Sequence, residues 1–218
     1  IPGESEFDFE NLIDALANNN SINSLPGIIY KDNNGKVIVN ERQPIINNLD
    51  KIPPYDYSLF DKQVFYRPYN GRVVKAVDYE LSRGCIYACE YCVETVIQSY
   101  YNFNEVSEGT GTILNSNKYL RNKSPERIFH EISTLHNDYG IELFRCQDTN
   151  FLTINRRTLK SIAQMIDKSE MDIILYIETR PEGINESSVE LLKKLKVDGV
   201  GMGVELSTQD FREEKLKR

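Results

Sequence analysis

Cys85, Cys89 and Cys92 stand within SRGCIYACEYC, separated by three residues and then by two. Thiolates are soft donors that select iron–sulfur clusters or zinc. Three of them on one short loop can hold three corners of a four-iron cluster and leave one iron without a protein ligand. An iron with an open position is a place for chemistry, whereas a fully ligated cluster mainly passes electrons. Zinc would call for a fourth ligand, usually from a second Cys/His pair, and none is nearby in the sequence. Ferredoxin runs have other gaps and a fourth cysteine. The remaining thiol, Cys146, sits in the apolar run IELFRCQ and reads as a buried strand residue. His130 and His136 fall on a helical pattern and read as solvated or locally satisfied.

The elements that must position this loop follow from periodicity. Val73 to Ser82 (VVKAVDYELS) is apolar and β-branched, and runs straight into the cysteines. Ser124 and Pro125 open a helix whose Ile128, Ile132 and Leu135 face the core, and IELFRCQ is the next strand. Asn155 caps a helix carrying Leu159, Ile162, Ala163 and Ile166, and DIILYIET follows as a third strand. Asn185 opens a helix with Val189, Leu192 and Leu195, and DGVGMGVEL is the fourth strand. Four βα units in succession predict an α/β fold with a parallel sheet covered by helices, curled by right-handed crossovers into a partial (β/α) barrel. Functional side chains then belong at the carboxyl ends of the strands, where the cysteines, Asp148, Arg180 and Glu205 all fall.

Ahead of this core, residues 8–18 predict a short helix capped by Asp8, with Leu12, Ile13, Leu16 and Ala17 on one face. GIIY and KVIV flank Asp32-Asn33-Asn34-Gly35, a hairpin signal. Residues 41–72 are rich in Pro, Tyr and Asp and read as a linker, while 102–123 is polar and reads as a mobile insertion. Gly109 and Gly111 lack the Lys-Ser/Thr of a phosphate loop.

The whole chain of 218 residues is 40% hydrophobic and 27% charged, which places it among globular proteins. A net charge of -7 argues against a broad nucleic-acid face. No apolar run approaches membrane-spanning length, and the acidic start IPGESEFDFE lacks the layout of a secretion signal. Four cysteines, three of them clustered, point to metal binding in a reducing, cytoplasmic setting rather than to disulfides.

SRGCIYACEYC resembles the cluster loop of the radical S-adenosylmethionine (radical SAM) enzymes in its spacing, in Tyr91 before the last cysteine and in the preceding Ser-Arg-Gly. The resemblance implies a partial βα barrel and a [4Fe-4S] cluster held by Cys85, Cys89 and Cys92. SAM would chelate the open iron and be cleaved reductively to methionine and a 5′-deoxyadenosyl radical, with a flavodoxin or ferredoxin as reductant. By the same resemblance Tyr91 packs on the adenine, Asp148 in QDTNF meets the amino group of SAM, Arg180 in ETRPE pairs with its carboxylate, and Glu205 in GVELS meets the ribose hydroxyls. Each keeps a plainer alternative: burial for Tyr91, a turn or cap for Asp148, a strand-end ion pair for Arg180.

GESE at Gly3–Glu6, LPGIIY, the hairpin and LDKIPPYDY are similar to the segment joining a cobalamin-binding domain to the core in B12-binding radical SAM proteins, although Ser5 stands where that pattern has a second glycine. The implied layout is a remnant of a cobalamin-binding domain plus linker over 1–72 and a radical SAM core over 73–218, incomplete at its C-terminal end. The chain contains no Asp-x-His-x-x-Gly cobalamin motif, so cobalamin is expected only with the full-length protein. The resulting expectation is a radical SAM enzyme, with methyl transfer favoured and the substrate unspecified. A non-catalytic iron–sulfur or zinc scaffold is the alternative.

Overall fold

The structure, a computed structural model, describes residues 1–203, Thr208 and Asp210. It divides into two compact units, Ile1–Asn47 and Asn48–Arg218.

In the first unit, helix α1 (Glu6–Ala17) precedes the hairpin of β1 (Ile29–Lys31) and β2 (Val37–Val39). The hairpin pairs Ile29 with Val39 and Lys31 with Val37, as the Asp-Asn-Asn-Gly signal predicts. Asp32 organises its turn by accepting from the backbone of Asn34 and Lys36. Helix α1 differs from expectation. Its buried stripe is Asp8 and Ala15 with Leu12 half-buried, while Ile13, Leu16 and Ala17 are exposed. Asp8 is not the cap; it lies in the first turn against Gly27, where a Cβ would stand 2.5 Å from its carboxylate. The missing side chain of Gly27 allows this close approach to Asp8.

The second unit opens with three 3₁₀ turns, each started by an Asn or Asp side chain that accepts from the backbone two residues on: Asn48, Asp56 and Asp61. The stretch read as linker then ends in a strand, β3 (Tyr66–Tyr69), paired antiparallel with β4 (Arg72–Tyr79). The turn between them is Asn70-Gly71, both at positive φ, which is the residue pair a two-residue hairpin favours. Pro68 is tolerated because β3 lies at the sheet edge.

After β4 come β5 (Ser82–Arg83), the cysteine loop, α2 (Val93–Tyr100), α3 (Ser116–Tyr119) and β6 (Arg121–Asn122). Then α4 (Pro125–Tyr139), β7 (Leu143–Cys146), α5 (Arg156–Ser169), β8 (Ile174–Glu178), α6 (Glu186–Lys194) and β9 (Val197–Gly201) alternate. The main sheet runs β3-β4-β7-β8-β9, with β4, β7, β8 and β9 parallel and neighbours in chain order. Its covered face forms one core with the crossover helices: Val77, Phe144, Leu175 and Ile177 meet Ile128, Ile132, Leu159, Ile162, Ile166 and Leu192. Neighbouring parallel strands with every crossover helix on one face make a partial barrel, as expected. The caps are the predicted ones, with Ser124 accepting from Arg127, Asn155 from Arg157 and Asn185 from Ser188. In α6 the buried positions are Ser188, Leu191 and Leu192, and Val189 faces outward.

The opposite face carries a smaller cluster of Val74, Ala76 and Leu143 with Tyr69, Ile174 and Tyr176. Tyr176 explains the glycines of β9, since a Cβ at Gly199 or Gly201 would stand 2.7 or 2.5 Å from its ring or hydroxyl. No described helix is long and apolar enough to cross a membrane.

Candidate active site

The site is built at the carboxyl end of β4. Leu81 is fully buried there, and Ser82, Arg83 and Gly84 each have a task before the chain reaches Cys85. Ser82 donates to Asp148 from its backbone (2.6 Å) and from its hydroxyl (2.5 Å), while Leu81 N donates at 3.2 Å. Arg83 turns back on Glu80 at 2.7 Å. Gly84 adopts φ +93°, and a Cβ there would stand 2.6 Å from the Tyr119 carbonyl. Asp148 follows β7 and is 2% exposed, so burial pushes its carboxyl up to about 6 against the pull of these donors. It ties the ends of two neighbouring parallel strands together.

Cys85 and Cys89 are buried and Cys92 is half-buried. Cys92 occupies the N-cap of α2, whose terminal dipole favours anionic sulfur. Burial pushes the Cys85 thiol up to about 11, so holding it as thiolate needs a cation or iron. Arg180, just beyond β8, reaches the loop. Its Nη1 lies 3.4 Å from Cys89 Sγ, its guanidinium stands 3.9 Å from the Tyr87 ring centre, and its Nη2 pairs with Glu182 at 2.8 Å. The strand-end ion pair and the contact with the cysteine loop therefore coexist. Asn150 links β7 to β8 here by accepting from the Thr179 hydroxyl at 2.7 Å.

Tyr91 presents a ring that is 47% exposed between the second and third cysteines. Glu205 lies outside the described residues. Cys146 is a buried strand residue in the main core, with its thiol pushed well above the ordinary range by burial. The donor set suits a cluster. Among the described residues no three His, Cys, Asp or Glu side chains converge as they would around a single metal ion.

The segment 102–123, read from its polarity as an insertion, packs on the cysteine loop. Ala88 N donates to Gly111 O and Ile113 N to Ile86 O, both at 2.9 Å, and β6 pairs with β5. Buried Ile113 and Tyr119 anchor it. Its last residue, Lys123, joins Glu131, Arg127 and the Tyr79 hydroxyl in a buried network, with Glu131 bonds of 2.9, 2.6 and 2.6 Å respectively. Sequence reasoning also missed Thr95 and Gln98, which bond loop carbonyls from α2. Their i, i+3 spacing after Cys92 is the signal that was available.

The sequence pattern of the Radical SAM superfamily matches residues 79–217, a span that begins at the end of β4 and takes in the whole site. The chain belongs to the radical SAM superfamily. A protein of Pyrococcus horikoshii described as an uncharacterized methyltransferase is 30% identical over 207 residues, covering 94% of this chain and 39% of that protein. The anaerobic magnesium-protoporphyrin IX monomethyl ester cyclase of Synechocystis is 26% identical over 207 residues, 94% of this chain and 36% of that enzyme. This radical SAM chain therefore spans less than two fifths of the curated relatives it matches. Among solved structures, the radical SAM methyltransferase TsrM of Kitasatospora setae, with cobalamin and a [4Fe-4S] cluster bound, superposes with a TM-score of 0.66 at 17% identity, over 98% of this chain and 39% of that one. The cobalamin-dependent radical SAM enzyme OxsB gives 0.65 at 20% identity, over 96% and 28%. These two share the fold.

Proposed function

We propose that the chain forms the catalytic core of a cobalamin-associated radical SAM enzyme, with Cys85, Cys89 and Cys92 as the three protein ligands of a [4Fe-4S] cluster. The observation that carries this reading is the three-thiol loop at the end of the first parallel strand, with Arg180 reaching it from the third strand. With cluster and SAM bound, one electron passed to the sulfonium would break a carbon–sulfur bond to yield methionine and a 5′-deoxyadenosyl radical.

The chain's own residues do the positioning. Asp148, assigned by resemblance to the amino group of SAM, also accepts from Leu81 N and Ser82 N and so steadies the strand that delivers Cys85. Arg180 supplies positive charge beside Cys89, and its planar fork suits the carboxylate of SAM. Tyr91 offers an exposed face to the adenine, and Glu205 is assigned to the ribose hydroxyls. Burial of Cys85 and Cys89 keeps water from two of the three ligands.

Methyl transfer is the favoured outcome, supported by the description of the Pyrococcus relative. Residues 1–72 are read as the end of a cobalamin-binding domain plus linker, and a cytoplasmic flavodoxin or ferredoxin as the reductant. Anaerobic reconstitution of full-length protein with iron and sulfide should give about four irons per chain and a broad absorption near ~400 nm. Added SAM and reductant should then yield 5′-deoxyadenosine, and Cys89→Ala should abolish both signals. Stoichiometric zinc without nucleoside product would instead establish a scaffold.

A further inference from the structure

We propose that Gln98 is a positioning residue for the cysteine loop, setting the backbone from which Cys85 presents its sulfur; this rests on the reading of the three cysteines as cluster ligands. Helix α2 starts at the loop's own last cysteine, so its register decides which side chains return to the loop. Thr95 and Gln98 do so. The Thr95 hydroxyl donates to Cys89 O at 2.8 Å, and Gln98 Nε2 donates to Cys85 O at 2.9 Å and to Tyr87 O at 3.0 Å.

Cys85 O and Tyr87 O both meet Gln98, on either side of the bend at Ile86. Ile86 O accepts instead from Ile113 N at 2.9 Å. One nitrogen carrying two hydrogens can serve two carbonyls without bringing a charge into the interior. The side chain is 1% exposed, and its Oε1 has no hydrogen-bond partner among the described residues. A residue that merely filled this space would be better apolar, because a buried acceptor left unpaired is unfavourable. What the position uses is the amide NH₂. Its two bonds fix the 85–86 and 87–88 peptides, and the first of these adjoins Cys85 and so bears on the direction of its side chain, much as outer partners orient metal-binding histidines and carboxylates.

The test uses full-length protein with its cluster assembled anaerobically, comparing wild type with Gln98→Met, Thr95→Val and the core variant Leu159→Ala. Release of iron to a chelator is followed by absorbance, and melting temperature is measured on the same samples. Gln98→Met should release iron about 10- to 100-fold faster, the usual scale for removing a side chain that orients a ligand, and should alter the electron paramagnetic resonance line shape of the reduced cluster. Thr95→Val should shift both in the same direction by less, and it carries the test should Gln98→Met fail to fold. Leu159→Ala should lower the melting temperature while releasing iron at the wild-type rate with an unchanged line shape. Wild-type release from Gln98→Met, or equally fast release from Leu159→Ala, overturns the proposal. Wild-type protein without a four-iron cluster removes its premise, and that failure shows in the wild type alone.

Discussion

Asp148→Asn, read in the apo protein as a function of pH, isolates the group that ties the lead-in of the cysteine loop to β7. Asp148 has an ordinary carboxyl value of 3.8 when unfolded and about 6 when folded, chiefly because burial disfavours its charge. A folded state that binds the proton more tightly is stabilised where the proton is bound. The contribution is therefore most favourable below about 4, falls as pH rises from 4 to 6, and is level above that. The difference between about 6 and 3.8, at about 1.4 kcal/mol per pH unit, is about 3 kcal/mol across the window. Asparagine is close to isosteric and has no proton to exchange. It keeps one acceptor oxygen but turns an NH₂ toward the donors of Leu81 or Ser82, at a constant cost of about 1–3 kcal/mol. Urea denaturation of both proteins from pH 4 to 7 should show the stability of wild type relative to Asp148→Asn falling by about 3 kcal/mol as pH rises. A difference that stays flat over that range would refute the burial argument and with it the placement of Asp148.

Glu131→Gln should cost about 3–5 kcal/mol, because Lys123 and Arg127 are left without their buried partner. Glu131 itself, against the penalty of burial, is held below its ordinary 4.5 by the Tyr79, Lys123 and Arg127 bonds. Its contribution is thus present above about 4.5 and lost as pH falls further, so the variant should lose that acid slope in the same denaturation series. Gly84→Ala should fold poorly or lose cluster occupancy severalfold, since its φ of +93° and the Tyr119 carbonyl leave no space for a methyl group; iron analysis after anaerobic purification reads this directly. Arg180→Lys should raise the KM for SAM about tenfold or more with a smaller effect on kcat, because a point charge replaces a fork set beside Cys89. Equal KM values would remove Arg180 from SAM binding.

The barrel strands and helix caps were legible because each rests on local pattern: Ser124, Asn155 and Asn185 cap as their residue types dictate, and the apolar runs become β4, β7 and β8. The position of the cysteine loop at the end of the first parallel strand was legible from the apolar run that leads into it. What escaped was tertiary. Asn70-Gly71 marked a hairpin that the surrounding Pro and Tyr residues obscured. The glycines of β9 stand against Tyr176, a residue more than 20 positions earlier, and nothing local in the sequence names that neighbour. Residues 105–114 are polar because they face water on one side, while their backbone pairs with the cysteine loop on the other, and polarity carries no record of that pairing. Gln98 was not singled out at all, because its two bonds to the loop depend on where α2 begins.

Mössbauer spectroscopy of iron-57-loaded, anaerobically purified full-length protein, taken with and without SAM, bears most directly on the central claim. Three irons of one cluster should keep thiolate signatures throughout, and the fourth should change its signal when SAM is added. A cluster whose fourth iron is already held by the protein and ignores SAM, or a protein without iron, would contradict the account.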